Sequence, residues 1–295
     1  MNLDALLERL PRKGIENLAF PRNLLGTFRR KSISFCTGVT DEVSVVYWFQ
    51  SRSFSIDLRL PDAAATAVTQ RQGWVGDTAW DADSRQLSWN IARSYQPRNQ
   101  WPEPARLSFI GNCVLEFAPS GAYVEDWRQQ SSSGPLLGLR LIGALNDATG
   151  EESPLDGGLL ITGEHAAFAQ SRPPLIDEAL QRAACLEDAL ANGIATEAEI
   201  ESYEVSVAIG GRAITYSTRP GRSGQVIGAG NFSICADGLV AQEGTIGGQP
   251  CVLFYEVDVF EPEFRFEIQT PSTSEALDWL ELEKPHLARH ATLVN

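Results

Sequence analysis

The chain has 295 residues, 43% hydrophobic and 21% charged, which is room for one large core or two ordinary ones and too apolar for wholesale disorder. Its formal charge of −14 and pI near 4.7 repel phosphate backbones and anionic lipid, arguing against nucleic acid and membrane surfaces as partners. The five cysteines (Cys36, Cys113, Cys185, Cys235, Cys251) are widely spaced and include no Cys-x-x-Cys, so neither a disulfide framework nor a zinc site is expected.

The chain opens on an amphipathic helix over residues 2–10, with Leu3, Leu6, Leu7 and Leu10 on one side and Pro11 as its stop. Asp4 and Glu8 fall where a signal peptide needs an apolar core, and no run has the length of a membrane-spanning helix. Reduced, mostly buried thiols in a cytoplasmic protein are therefore expected. From about residue 31 short β runs begin. Residues 43–49 form a continuous apolar run, read as a strand covered on both faces. In 53–60, Phe54, Ile56, Leu58 and Leu60 alternate with Asp57 and Arg59, and Pro61 ends the strand.

Further strands are expected near 72–80, 86–95, 105–110, 113–118, 122–129, 136–144, 157–163 and 165–171, with turns at Asp81–Ser84 and Pro119–Gly121. Pro174 then opens a single helix to Gly193, striped by Leu175, Ala179, Ala183, Leu186 and Leu190. Thr196 with Glu199 spells a capping box. Strands resume at 203–209, 212–218, 226–235, 238–245, 249–259 and 263–269, with turn signals at Gly210-Gly211, Asp237-Gly238 and Gly247-Gly248. A closing helix is expected over Ser274–Leu282. Regularly spaced antiparallel strands point to a mainly β fold: an antiparallel β-barrel with one amphipathic helix packed on it and extra C-terminal strands, which form an extension or a second small barrel. The expected divisions are an N-terminal helix and arm (1–30), the barrel (31–220, with the helix at 174–193) and a C-terminal β extension (221–295).

Several short pieces occur in an order that resembles a family of bacterial lipocalin-like, calycin-type barrel proteins. They are Tyr47-Trp48-Phe49-Gln50, Asp57-Leu58-Arg59-Leu60-Pro61, Gln72-Gly73-Trp74-Val75-Gly76, Trp89–Pro97, Gly121–Trp127 and Gly163–Pro173, with Tyr203–Ser206 and Ser217–Pro220 after them. The fungal casein-kinase-interacting protein built from similar barrels is a more distant likeness. Residues 30 to 225 carry the resemblance. Asn90-Ile91-Ala92 departs from the family pattern, which has a charged or histidine-bearing segment there. The resemblance implies a barrel fold and no particular activity.

Phosphate-loop, zinc-protease and nucleophile-elbow motifs are absent, so neither a cofactor nor a metal is expected. Gly221, Gly224, Gly228 and Gly230 lack the lysine and helix of a phosphate loop and read as a plain loop. Asp57 and Arg59 share one face of a strand and form either a lumen pair that orients a ligand or a merely stabilising one. Tyr123, Glu125 and Trp127 share a face, while Asp126 and Arg128 take the other, so Glu125 and Asp126 cannot work as paired carboxylates. Trp48, Trp74, Trp80, Trp89, Trp101 and Trp127 supply core or pocket walls. Arg93, Arg172 and Arg219 lie near strand ends, where a rim could meet an acidic ligand. His165 is a general base, a haem ligand or a rim histidine bonded to backbone. His286 and His290, four apart, lack a third metal ligand.

The leading expectation is a binding protein for a small, partly apolar molecule in the lumen, lined by Asp57, Arg59, Trp89, Arg93, Tyr123 and Trp127. The alternative is a cofactor-free enzyme of isomerase, cyclase or hydratase type, with Asp57, Glu125 or His165 as acid or base. A second alternative is a protein-interaction module docking through the C-terminal strands. A small-molecule ligand is the expected partner, with a homodimer left open.

Overall fold

The structure is a computed structural model and describes residues 1–63, 65–98, 103–267 and 272–290. Alternation of apolar residues builds its first sheet from β1 (Gly26–Phe35), β2 (Thr40–Asp41), β3 (Val45–Gln50), β4 (Phe54–Leu60), β5 (Gln72–Asp81), β6 (Gln86–Ser94), β7 (Ala105–Ile110), β8 (Cys113–Phe117) and β9 (Tyr123–Gln129). Each strand from β3 onward pairs antiparallel with the next, and β9 returns to pair with β1 from Phe28↔Gln129 to Phe35↔Tyr123. The eight long strands thereby close into a barrel and leave no open edge. The two residues of β2 hook onto β1.

Closure at Gln129 places the later strands elsewhere. β10 (Ser133–Asn146), β11 (Glu152–Ser153), β12 (Gly157–Thr162), β13 (His165–Gln170), β14 (Glu204–Ala208), β15 (Tyr216–Ser217), β16 (Phe232–Ile234), β17 (Val240–Ile246) and β18 (Gln249–Arg265) form a second antiparallel sheet, with β18 against β10. The strands expected at 136–171 and 203–218 thus belong to this sheet and not to the barrel. The physical reason is closure: once β9 pairs with β1 the barrel has no free edge, and β10 instead finds twelve residue partners along β18.

The sheets touch through the outer face of β3 to β5. Tyr47, Phe49, Ile56, Leu58 and Val75 pack with Leu160, Ala167, Val205 and Val207. The approach is close enough to demand glycine: a Cβ on Gly73 would lie 2.7 Å from Val205 Cγ2, and one on Gly158 2.7 Å from Phe54 Cε2. Asp258 of β18 pins the β3–β4 turn, accepting from Ser51 Oγ at 2.6 Å and Ser53 Oγ at 2.7 Å. Helix α1 (Leu3–Arg9), capped by Asn2, inserts Leu3 and Leu6 among the residues of the second sheet.

Local expectations shift where tertiary contacts intervene. The single helix of 174–193 is two, α2 (Pro174–Leu180) and α3 (Leu186–Ala191), followed by α4 (Glu197–Ile200) with the expected capping box. The break at 181–185 lets Leu180, Ala183, Leu186 and Ala189 all reach one core, while Leu175 is left exposed. The strands expected at 212–218 and 226–235 shrink to β15 and β16, and Val43 is exposed ahead of β3. The strands at 249–259 and 263–269 merge into β18 as far as Arg265; residues 268–269 lie outside the described residues. Pro262 is tolerated inside β18 because it falls in a bulge, between the pairs Leu136↔Glu261 and Gly134↔Phe264, where no ladder bond is lost. The closing helix α5 extends over Ser274–His290. All five cysteines are free, but only Cys113 and Cys251 are buried, which corrects the expectation of mostly buried thiols.

Candidate functional site in the barrel interior

Alternation along the closed strands decides what enters the barrel. Phe28 of β1 stands opposite Trp48 of β3, Trp48 opposite Asp57 of β4, and Asp57 opposite Trp74 of β5, so all four share the inner face. A bulge between Arg30 and Ser32 then turns both Arg30 and Ile33 inward despite their odd spacing. One end of the interior is apolar: Phe28 stacks on Trp48 at 4.8 Å, and Phe20, Leu24, Leu25 and Phe264 join the same cluster. The tryptophans continue from there. Trp89 and Trp127 meet Trp48 edge-on at 6.0 and 5.9 Å, and Trp74 lies 5.5 Å from Trp89.

Next to these rings lies a buried charged network. Arg59 Nε donates to Asp57 Oδ1 at 2.8 Å. Arg30 donates to Glu125 Oε1 at 2.7 Å through Nη1 and to Asp41 Oδ2 at 2.9 Å through Nη2. Glu116 of β8 is the cross-strand partner of Glu125, and Trp127 Nε1 donates to both carboxylates, at 3.0 and 3.1 Å. Two carboxylates directly opposite on one sheet face repel. Burial and then the charge of Glu125 push the Glu116 carboxyl up to about 8, against the pull of Arg59. Arg30 and Arg59 therefore face more carboxyl groups than they can neutralise, and burial with the neighbouring charge favours the protonated form of Glu116. Burial also raises Asp57 against the attraction of Arg59, and burial beside Glu116 raises the Tyr123 phenol.

Two donors in this interior stand out. Trp74 Nε1 and Trp89 Nε1 are buried and donate to nothing among the described residues. By contrast, Trp48 Nε1 donates to Ser55 Oγ at 3.1 Å. A buried donor without an acceptor costs about 1–3 kcal/mol, so these positions are primed for one.

The structure therefore brings Asp57, Arg59, Trp89, Tyr123, Glu125 and Trp127 together on the inner face, and places Asp126 and Arg128 outside as an ion pair. Glu116 and Arg30 were missed. Alternation in Cys113–Phe117 puts Val114 and Glu116 on one face, but only the hairpin register brings Glu116 opposite Glu125.

Three candidates lie elsewhere. Arg93 faces the groove between the sheets, donating to Pro154 O at 3.0 Å, because the β5–β6 bulge between Val75 and Asp77 puts it opposite the outward Val75. Arg172 is no rim residue: it is buried and donates to the carbonyls of Ile200, Ser94 and Tyr95 at 3.0, 3.0 and 2.7 Å. His165 sits on the second sheet, where Nδ1 accepts from Gly210 N at 3.0 Å and Nε2 lies 3.3 Å from Gln130 O. Both nitrogens are occupied by backbone, so it is a rim histidine, with its pKa lowered by burial. Trp101 and the His290 side chain lie outside the described residues. Among the described residues no three metal-ligating side chains converge, and no helix is long and apolar enough to cross a membrane. Comparison with protein-family profiles, with curated proteins and with solved structures returns no match.

Proposed function

We propose that the barrel interior binds a small, partly apolar molecule carrying at least one hydrogen-bond acceptor. The observation that carries this reading is the pair of buried indole N–H groups, Trp74 and Trp89, beside a wall of rings and an ionic network. An eight-stranded barrel has room for one small ligand or for side chains alone. A barrel needing only a core would be built more cheaply from aliphatic residues, because five buried ionisable groups cost desolvation that their pairing repays incompletely. The rings would cover the apolar part of the ligand, and the indoles and the protonated Glu116 would address its polar end. Native mass spectrometry against the denatured mass tests this. A co-purified mass, lost in Trp74→Phe and Trp89→Phe, is the expected result. An apo mass with no quenching of tryptophan fluorescence by a panel of small carboxylic acids, amides and ketones would overturn it.

One observation favours a second reading, a cofactor-free enzyme. Glu116, its carboxyl pushed up to about 8, stands directly opposite Glu125 in a buried site, and a carboxyl that holds its proton near neutral pH is the kind of group general acid catalysis uses. A substrate turned over there would show activity lost as pH rises through about 8, and Glu116→Gln would remove it.

A further inference from the structure

The second sheet curls so that its two flanks face each other across a cleft of 800 Å³. One flank carries Phe168 and Gln170 on β13 and Glu204 on β14; the other carries Gln242 and Thr245 on β17. The glycine-containing loop 219–230 closes a third side, and Gln170 Nε2 reaches across to Thr245 O at 3.3 Å. This volume lies within the range of small-molecule pockets.

The polar groups of the cleft are held in place by the protein itself. Glu204, 4% exposed, accepts from Ser206 Oγ at 2.7 Å, Arg222 Nε at 2.8 Å and Arg219 Nη1 at 3.2 Å. Arg222 in turn donates to Gln225, whose Nε2 donates to Gly221 O at 2.9 Å. Gln242 is 8% exposed; its Oε1 takes the Tyr255 hydroxyl at 2.8 Å, and its Nε2 donates to nothing among the described residues. Side chains anchored in this way bind without first losing their freedom.

Charge and shape narrow the ligand. The lining carboxylates Glu201, Glu204 and Glu243 outweigh Arg219 and Arg222, and the whole chain is strongly acidic, which disfavours an anion. Strong cations are disfavoured as well, since Glu204 is already engaged by two arginines. The cleft lining combines the side-chain amides of Gln170, Gln225, Asn231 and Gln242 with paired charges, and Phe168 and Leu253 are its apolar members. That set matches vicinal hydroxyls, each donor and acceptor at once, on a ring whose C–H face can lie on an aromatic side chain. We propose that the cleft is a second binding site, separate from the barrel, for an uncharged polyhydroxylated molecule of the carbohydrate class.

Saturation-transfer NMR on the full chain tests this with glucose, galactose, mannose, N-acetylglucosamine, ribose, maltose and cellobiose, and with citrate and inorganic phosphate as anionic probes. The expected result is transfer to the ring protons of at least one sugar, with an affinity lowered roughly tenfold or more in both Gln242→Leu and Gln170→Leu. Gln170 is half-buried at the cleft mouth, so its variant keeps the test usable if Gln242→Leu fails to fold. The proposal is overturned if no sugar responds at tens of millimolar. Sugar binding that survives in both folded variants overturns it as well, since the sugar then sits elsewhere, in the barrel included. Binding of citrate or phosphate alone overturns it in favour of an anion site.

Discussion

The barrel and the second sheet are made of the same material, antiparallel strands with charged residues on the inner face, yet they treat those charges differently. In the barrel the ring is closed, and Arg30, Arg59, Asp57, Glu116 and Glu125 are all buried. In the second sheet the flanks stay apart. Glu204 is as buried as Glu116, but its partners Arg219 and Arg222 keep 46% and 30% of their side chains exposed. Closure, more than residue type, sets the local dielectric. The same ion pair is an expensive, unscreened commitment in one region and an adjustable contact in the other.

The largest test of this contrast is to remove one carboxylate from each region. Glu125→Ala leaves Arg30 with Asp41 alone and Trp127 with Glu116 alone inside a closed interior, and is expected to cost about 2–3 kcal/mol in urea unfolding. Glu204→Ala, whose arginines can turn to water, is expected to cost about 1–2 kcal/mol. Equal losses would break the comparison.

The next effect is a dependence on pH. Below its ordinary value of 4.5, Glu116 is protonated in both folded and unfolded chains and contributes no slope. Between about 4.5 and about 8 the unfolded carboxyl has lost its proton while the folded one keeps it, so unfolding releases a proton and stability falls as pH rises. Glu116→Gln removes that loss. Its advantage over the natural chain is expected to grow by roughly 2–4 kcal/mol between pH 5 and pH 9, read from denaturation midpoints. A constant difference across that range would place the proton elsewhere.

Salt gives a smaller and sharper discriminator. Double-mutant cycles on Glu204–Arg222 should lose most of their coupling, about 0.5–1 kcal/mol, between low salt and 1 M NaCl, where the screening length falls to about 3 Å. The Arg30–Glu125 coupling should hardly change. An effect of similar size lies outside both regions: Thr196→Ala removes the capping box of α4 and should cost about 0.5–1 kcal/mol, whatever the pH or salt.

Much of this arrangement is legible in the chain. Period-two alternation identifies the strands and sorts Asp57 with Arg59, and Tyr123 with Glu125 and Trp127, because neighbouring residues on a strand must face opposite ways. The turns at Gly210-Gly211, Asp237-Gly238 and Gly247-Gly248 are set locally, since a positive φ is open chiefly to glycine, and all five of these glycines adopt it. The capping box of Thr196 and Glu199 is equally local.

Other features depend on partners far away in sequence. Alternation cannot say which of two faces is inside, so Asp57 and Arg59 are buried only because β9 closes on β1. It cannot say that β10 leaves the barrel for β18, more than a hundred residues on, because that choice is a sum of ladder bonds and packing over both strands. The opposition of Glu116 and Glu125 follows from one hairpin register, and the break between α2 and α3 from the surface beneath them. The residues of the barrel site were therefore written in the chain as faces and turns, through short-range sterics. Their burial and the raised carboxyl of Glu116 were decided by closure of the barrel, and the cleft by the pairing of distant strands in the second sheet, through contacts that no local pattern encodes.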